Sequence, residues 1–299
     1  MKKMFSSTRI IRLSAALLSA LVCSGTSVSG QILYEENFDD GQAGTRWSFS
    51  SVGGVNGVNF AFDYSAAGIP SAPNGTGTTG LRFDSNLGPT GASSGIVAFP
   101  DGQSFSVPHV LTFDLWMNVE GTATTEFAVF GIGHTTSVAQ TPTSGTPGIG
   151  PMDNGINYAL TGDNGAARDV RVYVDGAELT GAAGGFAGAL QSTQNAPYNE
   201  AYLAPIPGNQ WLEVEVLALS DRTILSVNGN VWAETLTTPG SGNIMLGYMD
   251  VFTSVAPGAV FGVYDNVMVA VPEPGTYGVI LGIAALLAML AKRRFVRRS

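Results

Sequence analysis

The 299-residue chain carries a single cysteine, Cys23, and it lies inside the first hydrophobic run. A disulfide framework is therefore excluded, and so is a cysteine-based zinc site. Lysine is missing from the whole body. Between Gln31 and Ala270, five arginines (Arg46, Arg82, Arg168, Arg171, Arg222) stand against 22 acidic residues, a formal charge of −17. Such a surface repels phosphate backbones, which excludes nucleic acid as a partner. Two histidines, His109 and His134, are too few and too far apart in sequence for a zinc site, and are expected to be structural or exposed. Glycine runs such as Gly145–Gly150 lack the lysine and helix of a phosphate-binding loop. With no disulfide available, the body has to be held by its core, and about 240 residues suffice for that.

The other nine cations sit at the two ends. "MKKMFSSTRIIRLSAALLSALVCSGTSVSGQ" has a basic start, an apolar stretch from Leu13 to Cys23 and a Gly/Ser-rich exit. These are the three regions of a secretory signal peptide, residues 1–30, with cleavage expected after Ser29 or Gly30. Val22 before Cys23 argues against lipoprotein processing, where a small residue is expected. At the other end, Gly275 to Ala291 gives 17 residues without a charge. As a helix they reach roughly 25 Å, enough to span a bilayer of about 30 Å when Lys292 and Arg293 snorkel. The positive-inside rule keeps the basic tail, 292–299, cytoplasmic and puts the body, 31–270, on the far side. Just outside the span, Pro272 and Pro274 lack amide donors and hold Glu273 in an extended strip that a processing enzyme can grip.

Residues Val271-Pro272-Glu273-Pro274, the apolar span 275–291 and the tail 292–299 together resemble the PEP-CTERM sorting signal of Gram-negative bacteria. The resemblance implies a sorting segment, 271–299, recognised by an exosortase-type processing enzyme after passage through the general secretion machinery and signal peptidase. It implies anchoring in the inner membrane in transit, then release to the cell surface or a biofilm matrix of exopolysaccharide.

The body shows no long helical periodicity. Short alternating runs are separated by Gly, Pro, Asn, Ser and Thr, the pattern of an all-β, antiparallel sandwich. In "LTFDLWMNV", Leu111, Phe113, Leu115, Met117 and Val119 share one face and Thr112, Asp114, Trp116 and Asn118 the other. "DVRVYV" points Val170, Val172 and Val174 inward and Asp169, Arg171 and Tyr173 outward. "WLEVEVLAL" points Leu212, Val214, Val216 and Ala218 inward and Trp211, Glu213, Glu215 and Leu217 outward. Asn228-Gly229 and Asp175-Gly176 are expected as two-residue hairpin turns. Gly68–Gly80, Thr135–Gly155 and Thr180–Pro197 are expected as long loops.

The opening "ENFDDG" near "RW", the central "LTFDLWMNV", the "WLEVEV…ILSVNGNVW" hairpin and the closing "VYDNVMV" resemble the concanavalin A-like, laminin-G-like jelly roll. Members of that group include lectins, carbohydrate-binding modules, glycoside hydrolases and adhesion modules, so the resemblance implies a fold and leaves the activity open.

The outward residues Asp114, Trp116, Arg171, Tyr173, Trp211, Glu213 and Glu215 are candidates for one ligand-binding face, since aromatic rings stack on sugars while carboxylates and arginine bind hydroxyls. A plainer reading has Trp116 and Trp211 covered by loops and the charges solvated. Glu213 and Glu215, two apart on a strand, lie about 6.6 Å apart, near the roughly 5–5.5 Å of a retaining glycosidase pair. The related hydrolase pattern resembles Glu-x-Asp-x-x-Glu, and the central Asp and the third carboxylate are missing here. Glu36, Asp39 and Asp40, with Asp265 and Asn266, can meet if the first and last strands pair. Glu36, Asp39 and Asp265 are then candidate ligands of a structural calcium, although no cofactor is required. The expectation is an exported, non-catalytic module that binds polysaccharide or neighbouring proteins. A glycoside hydrolase using Glu213 and Glu215, or a purely structural matrix protein, are the alternatives.

Overall fold

The computed structural model describes residues 30–120, 125–145, 147–162, 170–179, 207–253 and 260–272. Apart from Gly30, Gln31 and Pro272 these belong to one compact unit, Ile32–Val271. The expected signal peptide up to Ser29, Glu273 and Pro274 of the sorting motif, the span 275–291 and the tail 292–299 lie outside the described residues, as does the expected loop Thr180–Pro197. Among the described residues no helix is long and apolar enough to cross a membrane.

Two antiparallel sheets form a sandwich consistent with a jelly roll. The first holds β1 (Ile32–Glu36), β3 (Gly57–Asp63), β4 (Thr79–Asp84) and β6 (His109–Asn118). It also holds β11 (Trp211–Ala218), β12 (Thr223–Val227), β13 (Asn230–Thr235) and β15 (Phe261–Ala270). Its order is β13-β12-β11-β6-β15-β4-β3, with β1 on the edge of β15 that β4 leaves open. The second sheet holds β2 (Trp47–Val52), β5 (Ser94–Pro100), β7 (Glu126–His134) and β8 (Ile156–Leu160). β9 (Val170–Val174), β10 (Ala177–Glu178) and β14 (Asn243–Asp250) complete it, in the order β10-β9-β8-β7-β14-β5-β2. The first and last strands pair as expected, Glu36 opposite Val267.

The alternating patterns place the core. Leu111, Phe113, Leu115 and Met117 of β6, Leu212, Val214, Val216 and Ala218 of β11, and Val170 and Val172 of β9 all enter the main cluster between the sheets. A slip of one residue would exchange the faces, so this burial fixes register. Tyr264 ties the layers together: its hydroxyl donates toward the carbonyl oxygens of Val129 (2.9 Å) and Gly247 (2.8 Å) on the opposite sheet. Both hairpin turns form. Asn228 and Gly229 have φ of 49° and 73°, and Asp175 and Gly176 have 47° and 80°, the positive pair that a two-residue turn requires.

The expected loop Thr135–Gly155 fills the interval between β7 and β8, and the loop from Tyr64 ends one residue before β4, so Thr79 and Gly80 belong to a strand. Neither loop runs free over the surface. Met152 and Ala139 pack with Phe127, Tyr173 and Met249 on the outer face of the second sheet. Tyr64, Ile69 and Ala72 pack with Trp116, Phe261 and Val263 on the outer face of the first. Each sheet is thus apolar on both faces over part of its area. Both histidines are buried, and burial lowers their pKa, His134 to about 4.

Tyr264→Phe removes the hydroxyl that joins the sheets while keeping the ring. The expected loss of stability is about 1 kcal/mol, read by urea denaturation. An unchanged midpoint would show that the two carbonyls need no partner from the other layer.

Candidate functional site

Register places three carboxylates in one row. Asp114 on β6 stands directly opposite Glu213 on β11 and directly opposite Asp265 on β15. Like charges paired across strands are unfavourable, and Asp114 is fully buried while Asp265 is 2 % exposed. Two asparagines resolve the conflict. Asn74 donates its backbone N–H to Asp114 Oδ2 (3.1 Å) and its Nδ2 to Asp114 Oδ1 (2.8 Å) and Glu213 Oε1 (3.1 Å). Asn266 donates Nδ2 to Asp114 Oδ2 at 2.7 Å. Asn266 can aim there because β15 bulges between Asp265 and Met268 and Asn266 has φ of 52°, a left-handed conformation that Asn tolerates well. Gly75 lets the loop close: a Cβ there would come within 2.3 Å of Asn266 Oδ1.

Burial raises the pKa of Asp114, opposed by the amides of Asn266 and Asn74. Burial pushes Asp265 up to about 7, against the donated Tyr64 hydroxyl (2.9 Å to Oδ2) and the Asn266 N–H, and with the charges of Asp39 and Asp114 adding to the rise. Glu215, opposite Thr112, is raised by burial alone.

The aromatic platform expected on this face is closed. Trp116 is 7 % exposed and meets half-buried Trp211 at 5.7 Å; Trp211 meets Tyr64 at 5.2 Å and donates Nε1 to the Pro70 carbonyl at 2.7 Å. The plainer reading, loops over both tryptophans, describes this face. Nor do the seven candidate residues share a face. Asp114, Trp116, Trp211, Glu213 and Glu215 do, but β9 belongs to the other sheet, and Arg171 and Tyr173 point out of it under the loop 135–155. There Arg171 lies over the Phe127 ring (4.6 Å) and beside Glu178 (3.9 Å), all of it buried.

Of the candidate calcium ligands, Glu36 is engaged by an arginine. Glu36 takes Arg46 Nε on Oε2 and Arg46 Nη2 on Oε1, both at 2.9 Å, and accepts the Phe38 N–H at 3.0 Å. That last bond supports Phe38 at φ of 59°, a left-handed conformation that costs a bulky residue strain, with its ring fully buried against Trp47. "ENFDDG" and "RW" are therefore one structural unit. Asp39 lies near Gly77 and Asp265. Among the described residues no group of three or more His, Cys, Asp or Glu is arranged to hold a metal ion.

What the strand pairing does create is a polar cleft of about 440 Å³ beside β1 and the β15 bulge. Asn37, Asn74 and Asn266 line it, with Arg46 held between Glu36 and Asp40. Of these, Asn37, Asn74 and Arg46 escaped the sequence reading. The Asn74-Gly75 dipeptide signals a turn, but nothing local says that the turn reaches β6.

No protein-family model matches the chain, and no curated protein matches it by sequence. Solved structures do match. A Bacillus subtilis protein of unknown function with a galectin-like fold is 13% identical over 81% of this chain and 96% of its own, with a TM-score of 0.48. The carbohydrate-binding module CBM66 of Bacillus subtilis is 14% identical over 74% of this chain and 94% of its own (TM-score 0.40). An endo-β-1,3-glucanase of Pyrococcus furiosus is 13% identical over 82% of this chain and 95% of its own (TM-score 0.45). The likeness is one of sandwich architecture alone. None of these matches is to a sorting domain.

Asp265→Asn tests the buried row. The native carboxyl holds its proton up to about pH 7, whereas the unfolded one releases it near 3.8. Its contribution is therefore complete below about 3.8 and is lost as pH rises towards 7, at no more than about 1.4 kcal/mol per pH unit. The stability of Asp265→Asn relative to the unsubstituted protein should fall as pH is lowered from 7 to 4. A gap independent of pH in paired denaturation curves would show that Asp265 is ionised throughout.

Proposed function

We propose that the chain is an exported, non-catalytic β-sandwich that binds polysaccharide through the cleft beside β1 and the β15 bulge and is sorted to the cell surface or matrix through residues 271–299. The observation that carries the binding part is the chemistry of the cleft. Three side-chain amides, carboxylates and a guanidinium face one open volume, and such planar groups suit the alternating donors and acceptors of sugar hydroxyls. The export and sorting part rests on the sequence: a three-region leader, and a proline-bracketed glutamate followed by an uncharged run and five cations.

Hydrolysis is the weaker reading. Asp114, the carboxylate nearest Glu213 across the strands, has both oxygens occupied by amides and is sealed from water. Glu213 is itself tied to Asn74. A glycosidase needs one carboxyl free to donate a proton and a second free to attack or to activate water. Calcium is no part of this proposal, since Glu36 is committed to Arg46. Chelation should leave the melting temperature unchanged, and a drop of several degrees would return Asp39 and Asp265 to the role of ligands.

The binding test is Asn37→Ala with Asn266→Ala in the full chain, held in detergent and screened against immobilised polysaccharides. Loss of affinity of tenfold or more is expected, with no turnover of any bound glycan. Unchanged affinity in the double variant would remove the cleft from the account. Turnover abolished by Glu213→Gln would make the protein an enzyme.

A further inference from the structure

The five arginines of the body face 22 acidic residues, and the four described ones are all engaged by carboxylates. Arg82 is held by Asp84, Arg171 by Glu178 and Arg222 by Asp221 and Glu234. Arg46, the cation in the cleft wall, is held on two sides by Glu36 and Asp40, with four hydrogen bonds between 2.8 and 3.0 Å. Four of its five N–H donors are thus directed at these two carboxylates. Glu35 adds a further exposed carboxylate to the same wall. Outside the wall, Asp39 and Asp114 lie close enough to Asp265 to act on it electrostatically. The remaining polar groups of the wall are the neutral amides of Asn37, Asn74 and Asn266, beside the apolar Val267 and Met268.

From this wall we infer that the cleft selects glycans without carboxylate or sulfate groups and rejects uronate-containing chains. The inference rests on the binding reading above and narrows it to a ligand class. Hydroxyl groups can donate to Glu35 and Asp40 and exchange bonds with the amides. An anionic sugar brings a second negative charge against these carboxylates and finds no uncommitted cation among the described residues to offset it. The rejection is electrostatic and should weaken as salt screens it.

The experiment is calorimetric titration of the full chain in detergent with neutral hexasaccharides (gluco-, xylo- and manno-configured) and with a galacturonate hexasaccharide, at low and high salt. At low salt at least one neutral hexamer should bind tenfold or more tighter than the galacturonate, with a smaller ratio at high salt. Glu35→Gln with Asp40→Asn lowers the negative charge and frees one side of Arg46, and should raise galacturonate affinity at least tenfold. Asp40 and Glu35 are exposed, so this variant should keep the parent melting temperature. Equal or preferential binding of galacturonate by the parent protein, or no gain in the variant, overturns the selection while leaving sugar binding intact. Binding of no saccharide of either class overturns the binding reading and the selection with it.

Discussion

A carboxylate sealed from water in the middle of a sheet has to be supplied with donors, and Asp114 on β6 is such a group. An unpaired buried charge would cost several kcal/mol, so the segments that bring those donors are fixed in place with it. The loop from Tyr64 lies against the first sheet because Asn74 gives Asp114 two hydrogen bonds. β15 bulges at Asn266, which supplies a third. Once the loop is down, Tyr64, Ile69 and Ala72 cover Trp116 and Val263 and add their apolar area to the attachment. The polar clamp sets where the loop sits, and the small aromatic cluster gives it much of its burial energy.

The cleft follows from the same arrangement. Its walls are the outer ends of the clamp, Asn74 and Asn266, and the start of the chain, where Glu36 joins Arg46 and supports the left-handed turn at Phe38. The face expected to stack on a sugar is closed, and a polar surface is left open between the first strand, the last strand and the loop. The proposed binding therefore rests on hydrogen bonds, and no exposed tryptophan platform takes part.

Much of the sandwich was legible in the sequence, and the reason is local. Alternation in β6, β9 and β11 and the Asn-Gly and Asp-Gly turns depend on neighbours a few residues away. The meeting of Glu36 with the segment around Asn266 was legible once the first and last strands were taken to pair. What the pattern does not encode is which sheet a strand joins. Arg171 and Tyr173 alternate with valines as Asp114 and Trp116 alternate with core residues, yet they face opposite sides of the molecule. Composition likewise marks 68–80 and 135–155 as loops without showing that each packs on a sheet. The pairing of Glu36 with Arg46 was not legible, because Arg46 lies ten residues on, beyond a turn that holds Phe38 at a positive φ.

Residue-resolved hydroxyl-radical footprinting tests the clamp most directly, because Trp47 and Trp232 in the main core serve as internal references. With Asp114 holding the loop down, Trp116 should be as protected as those two in the unsubstituted protein, and should become reactive in Asn74→Ala while they stay protected. Rapid labelling of Trp116 before any substitution, or continued protection in Asn74→Ala, would contradict the account.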